Sequence, residues 1–242
     1  MVMLSPAAEK RIRSFFVLLF LLFLIGIAVR LVGSTIRPAS VLGLPLSGRT
    51  FVIDPGHGGY DPGVTKDGLD EKDVTLAISL MLRDYLQSAG AHVVLTRETD
   101  RDFLIMPTAG PKKKLDMKNR LTLIREAEPD MFLSIHANAM NSSRWRGAQV
   151  FYRSDSEDSR MLAELVQQEL IRVLTNTDRQ IKTGDYLLLN ELEVPAIIVE
   201  VGFLSNWEEK RLLSEDKYRS KLAWAMYLGI MRYYAHDINA GS

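Results

Sequence analysis

The chain has 242 residues, 47% of them hydrophobic, and it balances 30 basic against 30 acidic side chains. That length supports one α/β domain with a real core plus a short appendage, and leaves little room for a second full domain. Zero formal net charge argues against an overall field that would draw the protein to nucleic acid or anionic lipid, and the lack of cysteine excludes disulfides, cysteine-bound zinc and a thiol nucleophile.

Residues Phe15 to Val29 read FFVLLFLLFLIGIAV, and thirteen of these fifteen are Phe, Leu, Ile or Val. At roughly −0.3 to −0.6 kcal/mol each they favour membrane insertion by about 4 to 8 kcal/mol. Lys10, Arg11 and Arg13 precede the run, and with Leu31, Val32 and Gly33 it reaches 19 residues, close to what a bilayer requires. No convincing small-x-small cleavage site follows, so an uncleaved anchor is favoured over a signal peptide. Either arrangement leaves the remainder outside the cytoplasm. The chain then divides into this segment (1–33), a linker (34–48) with Pro38, Gly43 and Pro45, one domain (49–236) and a tail (237–242), with folding expected to begin near Gly48.

Strand-like and helix-like patterns alternate through the domain. Thr50 to Asp54 reads as a strand, and Glu71 to Ala89 as a helix with Val74, Ile78, Met81, Leu82, Tyr85 and Leu86 on one face and Gly90 as its stop. His92 to Thr96 is expected to be an interior strand with a structural histidine. The basic run Lys112, Lys113, Lys114 reads as a solvated loop, and a helix over Lys118 to Glu128 ends at Pro129. Met131 to Ile135 and Gln149 to Arg153 read as strands, Glu157 to Leu174 as an amphipathic helix, and Ala196 to Val201 as a strand bounded by Pro195 and Gly202. Helices over Trp207 to Leu213 and Lys217 to Tyr234 follow, with His236 exposed beyond them. Strands separated by helices predict an α/β domain with a mostly parallel mixed sheet between helices.

Four polar residues collect where such a sheet binds ligands, at the carboxyl ends of its strands. His57 lies past the first strand in FVIDPGHGGYDPG, His136 past the strand Met131 to Ile135, and Glu200 near the end of AIIVEV. Glu71 opens the helix after the glycine loop, where the helix dipole favours its charge and its carboxylate can turn toward His57. Two histidines and two glutamates suit zinc held by three nitrogen or oxygen ligands, with the remaining carboxylate free to handle protons. Glu200 is the sharpest signal, because a carboxylate inside an apolar strand is costly unless it is paired or functional. Asp54 and Asp61 are expected mainly to shape the glycine loop.

These segments resemble a known family. DPGHGGYDPG, Glu71 in EKDVTL, SIHANA around His136 and VEVGFLSN around Glu200 are similar, in order, to the motifs of zinc-dependent N-acetylmuramoyl-L-alanine amidases with the type 3 amidase fold, over about Leu46 to Tyr234. The resemblance implies a Zn2+ cofactor held by His57, Glu71 and His136, with Glu200 as the catalytic residue. Thr96, Arg97 and Asp100 match the family's TRxxD stretch and are read as structural. It also implies a peptidoglycan substrate cut between the lactyl group of N-acetylmuramic acid and L-alanine. The membrane segment, LPLSG and RWRGAQVFY are most like the branch that serves muramic-lactam formation in spore cortex. The ten residues between Asn138 and Gln149 are too few for the helical plug of the cell-separation amidases, so a regulatory protein partner is one possible source of control. Another zinc amide hydrolase of the wall, a peptidase or a deacetylase, and a non-catalytic anchored wall-binding protein stand as alternatives.

Overall fold

The computed structural model describes Phe20, residues 43–105 and residues 110–240. The chain divides into two units, Met1–Gly43 and Leu44–Ser242, and the architecture is that of the second. Among the described residues no helix is long and apolar enough to cross a membrane. The segment Phe15–Gly33 expected to do so lies, apart from Phe20, outside them.

A six-stranded mixed sheet is built from β1 (Thr50–Pro55), β4 (His92–Leu95), β5 (Met131–Asn138), β6 (Gln149–Tyr152), β7 (Lys182–Thr183) and β8 (Ala196–Phe203), in the order β4-β1-β5-β8-β6-β7. The first four strands in that order run parallel. β6 is antiparallel to β8, and β7 parallel to β6. The central strands β1, β5 and β8 are near-continuous apolar runs, as expected where helices cover both faces of a parallel sheet. A small hairpin, β2 (Thr65–Lys66) and β3 (Leu69–Asp70), feeds directly into the first helix.

The two faces are covered unequally. On one lie α1 (Glu71–Ser88), α3 (Glu157–Leu174) and the C-terminal helix α6 (Asp216–Ala240), whose buried Val74, Ile78, Leu82, Leu162, Val166, Leu222 and Met226 meet Phe51, Leu133 and Val199. On the other, among the described residues, lie only α2 (Lys112–Glu126) and the one-turn α4 (Leu187–Asn190), whose Leu121, Ile124, Leu188 and Leu189 meet Val52, Phe132 and Ile198. The thinner cover leaves space above Ile198 at the carboxyl ends of the parallel strands. A further short helix, α5 (Trp207–Leu213), starts on Asn206, whose side chain accepts from the backbone N–H groups of Glu208 and Glu209.

Some expectations shift. Lys112, Lys113 and Lys114 are not a loop: they form the first turn of α2, behind Pro111, which the start of a helix tolerates. A run of like charges has no apolar period, which hid that turn. His92 opens the edge strand of the sheet and is exposed, rather than starting an interior one. Leu46 is completely buried, and its N–H donates to the Ala89 carbonyl at 3.0 Å, so core packing begins within the expected linker. β5 continues through His136 to Asn138, and α6 runs to Ala240.

Candidate metal centre and catalytic face

His57 occupies the loop leaving β1 with a φ of 62°, a left-handed conformation uncommon for a residue with a side chain. Two buried arginines hold it there. Arg97 Nε and Arg120 Nη2 both donate to the His57 carbonyl, at 2.8 and 3.0 Å, and Arg97 Nη2 donates to the Gly56 carbonyl at 2.9 Å. Arg120 is itself paired with Asp54 at 2.7 Å. Burial pushes the Asp54 carboxyl up, but Arg120 and the hydroxyls of Thr96 and Ser134 outweigh it and hold the group below the usual carboxylate range. Asp100 completes the clamp, accepting from Gly59 N–H and from Lys72, each at 2.7 Å. The stretch Thr96, Arg97, Asp100 therefore acts as the support expected of it.

Glu71, the first residue of α1, is only 3% exposed. Its Oε1 lies 3.2 Å from His57 Nε2 and 3.0 Å from His136 Nδ1, and it accepts from Ala137 N–H at 3.0 Å. Its Oε2 accepts from Val64 N–H at 3.0 Å. Burial pushes the Glu71 carboxyl up, yet hydrogen bonds from His136 and His57 prevail and depress it well below the usual range. One donor atom from each of His57, Glu71 and His136 lies within 4.8 Å of the others. The separations of 3.0 and 3.2 Å match the edge of roughly 3.3 Å of a tetrahedron with zinc-to-ligand bonds of about 2.0 to 2.1 Å.

The surroundings have been cleared for this convergence. A Cβ at Gly56 would lie 2.4 Å from the His136 ring, and one at Gly63 would lie 2.6 Å from Glu71 Oε2 and 2.7 Å from the His57 ring. Gly63 also has φ of 68°, which a glycine adopts without penalty. Asp61 departs from expectation. Its Oδ1 does shape the turn by accepting from Gly63 N–H at 3.0 Å, but its Oδ2 lies 2.8 Å from His57 Nδ1. It therefore orients the imidazole so that Nε2 faces Glu71. Asp54 instead accepts from Thr96, Arg120 and Ser134 and supports the loop through Arg120.

Glu200 stands beside this group. In the parallel ladder its partner on β5 is His136. Although the residue keeps some exposure, its Oε2 is buried and has no hydrogen-bond partner. Burial pushes the Glu200 carboxyl up, the His136 charge partly opposes this, and the result is about 7. A carboxylate tuned to neutrality and left without a partner is poised to exchange protons. His57, His136 and Glu200 line one cavity of about 190 Å³ together with Lys113, Tyr186, Leu187, Leu188 and Ile198.

The structure thus brings together all four residues singled out in the sequence. Tyr186, Leu187 and Leu188 were not anticipated, because a one-turn helix is too short to show a period. Arg120 carries no motif and looks like any polar residue of a surface helix.

The fold and this site define an amidase. A family model described as N-acetylmuramoyl-L-alanine amidase (Amidase_3) matches residues 51–232, and the chain belongs to that family of peptidoglycan hydrolases. It is 45% identical over 195 residues to the germination-specific N-acetylmuramoyl-L-alanine amidase of Bacillus subtilis, covering 79% of this chain and 82% of that one. Among solved structures it is similar to the CwlD amidase from Clostridioides difficile in complex with the GerS lipoprotein. That match has a TM-score of 0.75 and 41% identity over 77% of this chain and 98% of the other. An N-acetylmuramoyl-L-alanine amidase from Clostridium difficile 630 is similar with a TM-score of 0.68 and 31% identity, over 76% and 96% of the two chains.

Proposed function

We propose that the protein is a zinc-dependent amidase of the spore cortex, with His57, Glu71 and His136 as metal ligands and Glu200 as the catalytic acid and base. The observation that carries this reading is the convergence of His57 Nε2 and His136 Nδ1 on Glu71 Oε1 beside a buried, unpartnered carboxylate oxygen of Glu200. Zinc, when bound, supplies a Lewis acid for the lactyl carbonyl and brings the pKa of a water down to about 7. The chain's own residues do the rest. Asp61 keeps His57 Nδ1 engaged, so that Nε2 is the ligand atom. Glu200 takes a proton from the attacking water and later delivers one to the L-alanine nitrogen, which leaves poorly as an unprotonated amide.

The products are a stem peptide with a free amino terminus and a glycan bearing an unsubstituted lactyl carboxyl. Such a carboxyl is the group needed to close a muramic lactam. Likeness to a germination-specific amidase supports the cortex as the setting and action outside the cytoplasm, and the apolar run within residues 1–33 supports a membrane anchor. The CwlD amidase solved with a lipoprotein supports a protein partner as a source of control. The loop 139–148 carries no helix that could plug the site. Incubation of zinc-loaded protein with purified peptidoglycan tests the assignment. Mass spectrometry should find free stem peptides beginning at L-alanine; cleavage within the peptide, or loss of acetyl groups alone, would replace the amidase with a peptidase or a deacetylase.

A further inference from the structure

The catalytic face continues beyond Glu200 in a direction that the chemistry of bond cleavage does not use. On β6, Gln149 is the antiparallel partner of Glu200, and directly opposed residues project to the same face of a sheet, about 5 Å apart. The Gln149 side chain is engaged from the far side: its Oε1 accepts from Arg179 Nη1 at 3.1 Å. Arg179 then lies 5.6 Å from the centre of the Trp145 ring and 4.8 Å from that of Phe203, and its Nε donates to the Arg146 carbonyl at 2.7 Å. Trp145 also has the Arg144 guanidinium 5.7 Å from its ring centre, yet remains 40% exposed. An indole held by cations but left open to solvent is a rigid apolar plate, linked to the catalytic carboxylate through two side chains, Gln149 and Arg179.

The opposite end of the same face carries lysines as well as tyrosines, with Lys112 5.6 Å from the ring centre of Tyr60. There Lys113 lines the cavity beside His57 and Asp61. The amidase substrate offers two kinds of group, since the stem peptide carries free carboxylates that a lysine can meet, whereas the glycan strand consists of sugar rings whose apolar C–H faces suit an open indole. We infer that Trp145 is a glycan subsite, stacking on a sugar neighbouring the muramic acid under attack, so that the strand runs over Gln149 and Arg179 and the peptide leaves past Lys113. A protein seated permanently on Trp145 would overlie this continuous path to Glu200, which favours substrate as the occupant. The inference rests on the amidase reading.

Two measurements test it separately from that reading. In Glu200→Gln protein, Trp145→Ala should weaken binding to peptide-free glycan strands about tenfold, the scale of one aromatic contact, and Trp145→Phe should restore most of it. In active protein, Trp145→Ala should raise KM for polymeric peptidoglycan with little change in kcat, lowering about tenfold the preference for polymer over a single-sugar muramoyl peptide. Equal losses on both substrates, or glycan binding indifferent to Trp145, would overturn the subsite while leaving the amidase assignment in place. Failure of the parent protein to release any stem peptide would instead count against the assignment itself.

Discussion

His136 and Glu200 are paired across neighbouring parallel strands, one a candidate metal ligand and the other a buried carboxylate held near neutrality. The ladder continues past them only after a register shift, so that Asn138 meets Phe203. The irregularity falls immediately beyond the pair, so the regular register stops at the site.

Replacing Glu200 by Gln should remove the proton carrier while preserving shape. Amide hydrolysis should fall by about 10²- to 10⁴-fold, and zinc measured by elemental analysis should remain stoichiometric. Full activity in this variant would rule out Glu200 as the acid and base.

The same group should imprint a pH dependence on the metal-free protein. Its folded pKa of about 7 lies above the ordinary carboxyl value of 4.5, so the folded state holds the proton more tightly. The Glu200 contribution to stability is therefore fully present below about 4.5 and is lost as the pH rises toward about 7. Urea titrations across this window should record the decline in the parent protein and a flatter profile for Glu200→Gln. Glu71 acts with the opposite sign, because its pKa is depressed: its contribution disappears as the pH falls below the ordinary carboxyl range, outside the Glu200 window.

Metal retention should separate ligands from their supports. Glu71→Ala or His136→Ala should abolish zinc binding, and stoichiometric metal in either would remove that residue from the ligand set. Asp61→Asn should weaken binding by about 10- to 100-fold without abolishing it, as read by competition with a chelator.

Arg120→Ala leaves Asp54 charged and buried without its partner. Chemical denaturation should report a loss of about 3 to 5 kcal/mol, the usual result of breaking one side of a buried pair. Because Arg120 also holds the His57 carbonyl, zinc affinity should fall with stability. An exposed pair such as Arg160 with Glu157 should cost far less when broken, because solvent screens it.

Legibility in the sequence followed the length of each signal. The helix Glu157–Leu174 has five turns of apolar spacing and a serine before it, and its bounds were readable. The strand ends bearing His57, His136 and Glu200 were readable because polar residues interrupt apolar runs there. Lys112 to Lys114 and Leu187 to Asn190 were not, since neither has a period to detect. The dual role of Asp61 was hidden for another reason: which of its neighbours each carboxylate oxygen meets depends on the left-handed backbone at His57, and that backbone is imposed by arginines 40 and 63 positions away.

Those arginines also dictate an order of events during biogenesis. A nascent chain that has produced His57 and Glu71 still lacks Arg97, Arg120 and His136, so its first two donors cannot yet be held in place. Contacts between segments so far apart form late, once the sheet has closed. Metal capture should consequently follow closure of the sheet and then add its binding free energy to the folded state, so an incomplete or misassembled chain lacks the assembled site.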